Sequence, residues 1–213
     1  INFSMNNEIA EIVGITPEKA EIIGLLCAEG SYQEYFNSGW EYYRNRKKYY
    51  FRNKKRSVYL QFANYDKKLL YHFKKLIMKI YSYNAPISFD RVRIFKRDVI
   101  KDLLRYTLYG HLRWNVPKEV IKGIRKVKIK FIRGYFDGDG TASNTIRIFS
   151  NNKDALKQVS SLLNSLFIET TFNGPIIRKN REPSYYIYVR RKNQKKFLDL
   201  INPISKIPHK KVL

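Results

Sequence analysis

Glu29 and Asp139 stand in the same local setting. Each ends a stretch that reads as a helix, each is followed by a glycine, and each has small residues one and five positions before it: Ala28 and Gly24 in the first copy, Gly138 and Gly134 in the second. Residues four apart on a helix stack on one face. Two such faces pack with their backbones almost touching, which places Glu29 and Asp139 side by side at the foot of a two-helix seam. Both acids then sit at helix C-termini, where the macrodipole disfavours negative charge, and each feels the charge of the other. A divalent cation relieves both costs, and Mg2+ suits a site of few carboxylates completed by water and phosphate oxygens. The chemistry this offers is hydrolysis of a phosphodiester by an activated water. A nearby cation would steady the phosphate. Lys96 and Arg190, at the ends of corresponding hairpins, and Lys192 are the candidates. A calcium loop starting at Asp137 is excluded, because its sixth and twelfth positions would be Ala142 and Ile148 instead of Gly and Glu.

Composition points to a polyanion. The 213 residues hold 42 Lys and Arg against 18 Asp and Glu, a net charge of +24 that repels itself unless a partner neutralises it. A hydrophobic fraction of 44% excludes a purely disordered basic tail and is enough for a core. No run approaches the roughly 18 apolar residues of a membrane span, so no membrane is expected. The opening residues carry no basic-then-apolar signal, and Cys27 alone forms neither an internal disulfide nor a cysteine zinc cluster. An intracellular setting is therefore expected. His72, His111 and His209 are isolated and stand in no metal-binding spacing. Seventeen tyrosines are scattered among the bases, each with a ring and a hydroxyl suited to sugars and bases.

Two rounds of elements must position the acids. Thr16-Pro-Glu-Lys opens a helix to Glu29, with Gly30 expected as a left-handed terminator. A long hairpin of residues 31–44 against 48–62 follows, then a helix over 64–81, a short hairpin at 86–95 and a helix over 98–108. The second half repeats this plan: a helix at 126–138, two short strands within 141–149, a helix over 153–166, a hairpin of 168–176 with 184–191, and a helix over 193–201. A linker at 109–122, broken by Gly110 and Pro117 and holding a short helix at 117–122, separates an N-terminal half at 1–108 from a C-terminal half at 123–213. Trp114 is expected to anchor the linker by packing. The acids are 110 residues apart, whereas Phe62 and Phe149, in matching stretches, are 87 apart, so the first half carries the longer hairpin.

Ile22-Ile-Gly-Leu-Leu-Cys-Ala-Glu-Gly30 and Ile132-Arg-Gly-Tyr-Phe-Asp-Gly-Asp-Gly140 resemble the paired motifs of the LAGLIDADG homing endonucleases, in the monomeric, two-motif form. The resemblance implies an α+β fold of two pseudo-twofold-related αββαββα halves packed through the motif helices. Antiparallel sheets would form a saddle over duplex DNA. It also implies Mg2+-dependent cleavage of both strands across the minor groove, leaving 3′ overhangs. Glu29 and Asp139 would hold the metal, joined by the carbonyls of Ala28 and Gly138. Mn2+ would substitute, and Ca2+ would bind without supporting cleavage. Cys27 replaces the motif's first, non-catalytic aspartate, which Asp137 keeps.

The expected partner is double-stranded DNA with a long, pseudo-palindromic or asymmetric target, bound by a monomer. The run 44–56 mixes Lys and Arg with aromatics beside the first acid, the pattern of an electrostatic footprint. Asn37, Arg44, Arg46, Arg91, Arg93, Asn144, Arg147, Arg178, Arg181 and Arg190 have the chemistry to read bases, since Arg suits guanine and Asn adenine. Trp40, Tyr42 and Tyr188 join them as aromatic contacts. An RNA-binding intron splicing maturase on the same fold, with intron RNA as its partner, is the alternative.

Overall fold

The computed structural model of the chain describes residues 15–37, 40–45, 47–51 and 55–206. The first half runs α1 (Pro17–Glu29), β1 (Gly30–Asn37), β2 (Trp40–Arg44), β3 (Lys47–Phe51), β4 (Lys55–Ala63), α2 (Lys67–Tyr81), β5 (Ile87–Ser88), β6 (Arg91–Ile94) and α3 (Arg97–Leu104). After α4 (Lys118–Ile121), the second half runs α5 (Arg125–Asp139), β7 (Gly140–Thr141), β8 (Arg147–Ser150), α6 (Lys153–Asn164), β9 (Thr170–Ile176), β10 (Ser184–Val189) and α7 (Arg191–Ile201). The two four-stranded sheets have corresponding orders, β1-β4-β6-β5 and β7-β8-β10-β9, and every pairing is antiparallel. The fold is therefore α+β, with the αββαββα plan used twice.

α1 starts where expected: the Thr16 side chain accepts from Lys19 N at 3.2 Å, and Pro17 opens the first turn. It is buried without a break from Ala20 to Cys27, as befits a helix enclosed on all sides. α2, α6 and α7 are amphipathic; α2 and α6 lay their apolar stripes on a sheet, and α7 packs Phe197 against Phe136 of α5 at 4.9 Å. Leu69, Leu70, Phe73 and Ile77 of α2 meet Leu60, Phe62, Val92 and Ile94, and Phe62 stacks on Phe73 at 4.7 Å. Strand alternation then leaves one face of each sheet free of helices. Tyr59, Gln61, Arg91 and Arg93 lie on that face in the first half; Arg147, Phe149, Tyr186 and Tyr188 do so in the second.

Three local expectations change. The first hairpin pairs as two ladders. Gly30 opposite Phe62 through Asn37 opposite Lys55 sets one register, but Trp40 faces Phe51 instead of Arg52, a slip of one residue. α3 ends at Leu104 and not near 108, because Thr107 and Tyr109 turn inward: Thr107 Oγ1 accepts from Asn115 N at 2.9 Å, and the Tyr109 hydroxyl donates to Leu103 O at 3.0 Å. Gly30 is not left-handed. Its φ is −91° and that of Gly140 is −90°, both extended. Glycine is required there by space, since a Cβ would lie 2.3 Å from Leu26 O at position 30 and 2.2 Å from the Phe136 ring at position 140.

Glu21 is the charged residue inside the seam, 1% exposed. It meets His72 of α2 at 2.8 Å, Lys130 of α5 at 2.8 Å and Arg133 of α5 at 3.7 Å. Burial pushes its carboxyl up, but the hydrogen bonds and charges of His72 and Lys130 outweigh that and leave it below the ordinary carboxylate value. The stability Glu21 contributes is thus present above the ordinary glutamate pKa and lost as pH falls through the lowered one. Glu21→Ala is expected to cost about 3–5 kcal/mol, because it strands two or three cations in the seam. Chemical denaturation at neutral pH checks this, and the deficit should shrink in acid.

Candidate active site

The seam brings α1 and α5 into backbone contact. A Cβ on Gly24 would lie 2.2 Å from Phe131 O and 3.0 Å from Tyr135 N. A Cβ on Gly134 would lie 2.3 Å from Glu21 O and 2.9 Å from Leu25 N. These contacts are reciprocal, each glycine meeting the partner helix three residues before and one residue after the partner's own glycine, which is the mark of a local pseudo-twofold axis. One turn further on, the space over Gly138 is filled by Ala28 Cβ at 2.4 Å and Glu29 Cγ at 3.2 Å from where its own Cβ would stand. The helices therefore end together, with no basic residue in the last turn of either.

Glu29 and Asp139 line one cavity of about 390 Å³, floored by the helix ends and walled by the linker at Gly110, His111, Leu112 and Trp114 and by residues 149–152. Burial raises the Glu29 carboxyl above its ordinary value, opposed by the Lys206 ammonium. Asp139 is pushed much higher, first by burial and then by the charge of Glu29. Its neighbour Tyr135 donates its hydroxyl to Phe149 O at 3.1 Å and packs against Trp114 at 4.7 Å. Burial, and next the Asp139 charge, hold that phenol well above its usual range. Cys27 is buried beside the pair, and burial raises its thiol strongly, which makes it inert at neutral pH. Among the described residues no three His, Cys, Asp or Glu side chains converge. Two carboxylates at the edge of a cavity open to water suit a hard, water-rich divalent ion and fit zinc poorly.

The structure resembles solved homing endonucleases over most of its length. I-DmoI in complex with DNA and Mn has a TM-score of 0.60 at 15% identity, covering 87% of this chain and 96% of that one. A mesophilic variant of I-DmoI scores 0.63 at 16% identity, covering 88% and 97%. The I-LtrWI LAGLIDADG homing endonuclease bound to its target DNA scores 0.55 at 13% identity, covering 89% and 85%. This is the LAGLIDADG fold. Residues 126–202 also match the family model of the LAGLIDADG-like domain. No curated protein matches the chain by sequence.

Within the LAGLIDADG frame the predicted residues fall into groups. Glu29, Asp139, Ala28 and Gly138 are brought together. Lys96 and Arg190 occupy equivalent places, each immediately before the third helix of its half. Neither lines the acid cavity, nor does Lys192; Arg190 and Lys192 both pair with Glu169, at 2.9 and 2.7 Å. Arg91, Arg93, Arg147 and Tyr188 lie on the open sheet faces, with Arg93 over the Tyr59 ring and Arg147 over Tyr186, both at 5.5 Å. Arg91 is paired with Asp90 at 2.9 Å. Asn144, Arg178 and Arg181 are exposed on the connections between strands. Arg46 lies outside the described residues, as do the side chains of Asn37, Trp40, Tyr42 and Arg44.

Sequence reasoning missed Ser31, Gln61, Thr141 and His111, whereas Arg93, Arg147 and Tyr188 were among the predicted DNA contacts. Ser31, Gln61 and Arg93 form a row across β1, β4 and β6, one residue beyond Gly30. Gln61 Nε2 donates to Ser31 Oγ at 3.0 Å, while Gln61 Oε1 and Arg93 Nε are buried with no partner. The matching row in the second half is Thr141, Arg147 and Tyr188. Buried polar atoms without partners are costly, which suits a surface completed by a ligand. Strand alternation was the available signal for Gln61. His111 had none, because the linker loop brings it to the wall of the acid cavity.

Proposed function

We propose that this protein is a site-specific, divalent-metal-dependent endonuclease that cuts both strands of duplex DNA across the minor groove. The observation that carries this is the raised carboxylate pair, Glu29 and Asp139, set on the pseudo-twofold axis of a LAGLIDADG fold. The I-DmoI structures in complex with DNA include one with Mn and one with Ca, which supports the use of a divalent ion; Mg2+ or Mn2+ is our choice of working ion and Ca2+ of binding-only substitute. Glu29, Asp139 and the carbonyls of Ala28 and Gly138 would hold the ion. When bound, it supplies Lewis acidity and an activated water.

The chain's own residues do the rest. The close-packed glycines fix the spacing of the carboxylates, so that a single site serves both strands. The rows Ser31–Gln61–Arg93 and Thr141–Arg147–Tyr188 present donors and acceptors to the bases nearest the cut. The surplus of 42 basic over 18 acidic residues holds the phosphate backbone. Since both motif helices belong to one chain, the site is complete in a monomer.

A plasmid carrying a duplex selected for binding in Ca2+ is expected to be linearised by the full chain in Mg2+ or Mn2+ and to be bound uncut in Ca2+. Affinity should fall steeply with salt, by about 0.9 in log K per unit of log salt for each phosphate neutralised. A plasmid that stays intact in every metal, or a salt-independent affinity, would refute the reading.

A further inference from the structure

The linker between the halves is tied down beside the acids. Asn152, which caps α6, donates its side-chain amide to Trp114 O at 2.8 Å, and the Trp114 ring packs on Tyr135 at 4.7 Å. These ties set Gly110, His111 and Leu112 into the wall of the cavity that Glu29 and Asp139 line. His111 is the residue of that wall with proton-transfer chemistry, and nothing described so far uses it. Its Nε2 meets the carboxylate of Glu182, on the connection from β9 to β10. An ionised carboxylate only accepts, so Nε2 carries the hydrogen of this bond, and in the neutral ring the lone pair is then on Nδ1. Among the described residues Nδ1 has no hydrogen-bond partner.

We propose that His111 is the general base for one of the two strands, taking a proton from the attacking water at Nδ1 while Glu182 orients the ring through Nε2. The proposal rests on the nuclease reading. A carboxylate on the far nitrogen of an imidazole fixes its tautomer and orientation and steadies the imidazolium that forms. In the step itself, the water oxygen bonds to phosphorus as its proton passes to Nδ1. The bond from phosphorus to one bridging oxygen breaks, and that oxygen leaves as a hydroxyl after taking a proton from solvent. The imidazolium then returns its proton to solvent. The cavity is one-sided: its walls are the linker and residues 149–152, and residues 63–66, at the matching end of β4, do not line it. One histidine on one side of the acids serves one strand, which predicts that the two cuts depend on it unequally.

The test uses the full chain with His111→Ala and Glu182→Gln, and the selected duplex labelled on each strand in turn. The two side chains are 59% and 52% exposed, so both variants should melt like wild type and bind the duplex in Ca2+ with unchanged affinity. In single-turnover cleavage with Mn2+, His111→Ala should cut one strand about a hundred- to ten-thousandfold slower and the other at the wild-type rate. A supercoiled plasmid should therefore stall as the nicked circle. Added imidazole should speed the slow strand in His111→Ala, whereas Glu182→Gln should slow the same strand by a smaller factor and gain nothing from imidazole. Wild-type rates on both strands in His111→Ala, or an equal loss on both that imidazole does not restore, would overturn this role and leave the nuclease reading standing. A wild-type chain that binds the duplex and cuts neither strand in any metal would overturn the nuclease reading, and this role with it.

Discussion

Gly134→Ala should slow metal-dependent cleavage about a hundredfold and weaken the fold, although it touches neither carboxylate. The added methyl would stand 2.3 Å from Glu21 O and 2.9 Å from Leu25 N. Both are backbone atoms inside a hydrogen-bonded helix, so no rotamer change makes room; α1 and α5 must separate instead. Overpacking of this kind costs about 1–3 kcal/mol or more, and at this chain length each kcal/mol lowers Tm by about 2–4 °C. The catalytic cost is larger. Opening the seam by about 1 Å misplaces Glu29 relative to Asp139, and a misplacement of that size costs about a hundredfold in rate. Gly24→Ala should behave alike, since its methyl meets Phe131 O at 2.2 Å. Gly138→Ala should be costly too, because its methyl would stand 2.4 Å from Ala28 Cβ, an atom with no rotamer to change. Thermal melts and single-turnover cleavage of the three variants check this. Wild-type rates in Gly134→Ala would show that the close seam is not needed.

The seam was legible because its signals are local. Four-residue spacing of small residues, a terminal acid and a following glycine lie within each nine-residue stretch, and the repeat supplied the partner helix. The amphipathic faces of α2 and α6 and the alternation in β4 and β10 were legible for the same reason. What sequence did not show depends on contacts between distant segments. Gly30 and Gly140 look like left-handed helix terminators, yet they are extended, and their need for glycine comes from Leu26 O and the Phe136 ring. The slip between the β1–β4 and β2–β3 ladders leaves no mark in a run where aromatic and basic residues recur at every register. Asp137 reads as a spare motif acid until residues 204–206 are seen to dock on it. Residues 203–206 stand in a proline-bounded stretch without periodicity, so only their hydrogen bonds to Asp137 and Asp66 fix their place. Lys96, Arg190 and Lys192 were chosen by symmetry of position; symmetry puts Lys96 and Arg190 in equivalent places but not in the acid cavity.

Asp139→Asn is expected to raise the stability of the metal-free protein while removing its activity. The Asp139 carboxyl is held well above the ordinary value by burial and by Glu29, so ionising it in the folded state works against the fold. The sign follows from linkage: with the folded pKa raised, stability is fully present below the ordinary aspartate pKa and is lost as pH rises through the raised one. At neutral pH or above, asparagine removes that penalty, and Tm should rise; below about pH 4, where the unfolded carboxyl is also protonated, the two proteins should melt alike. Metal reverses the order. Wild type should gain stability with Mg2+ or Mn2+, by about 2.7 kcal/mol at a hundred times Kd, and the gain should fade as protons compete in acid. Asp139→Asn should gain little, and its cleavage should fall by about three orders of magnitude, the scale of several kcal/mol of lost transition-state stabilisation. If the variant instead melted below wild type without metal and still responded fully to Mn2+, the carboxylate would be a structural group and the ion would bind elsewhere. Asp139 is thus set where the metal-free fold is penalised for it, at the C-terminal ends of two helices with a second carboxylate beside it. That penalty is what an incoming divalent ion would relieve, so the feature that weakens the metal-free protein is the one that would make the site bind.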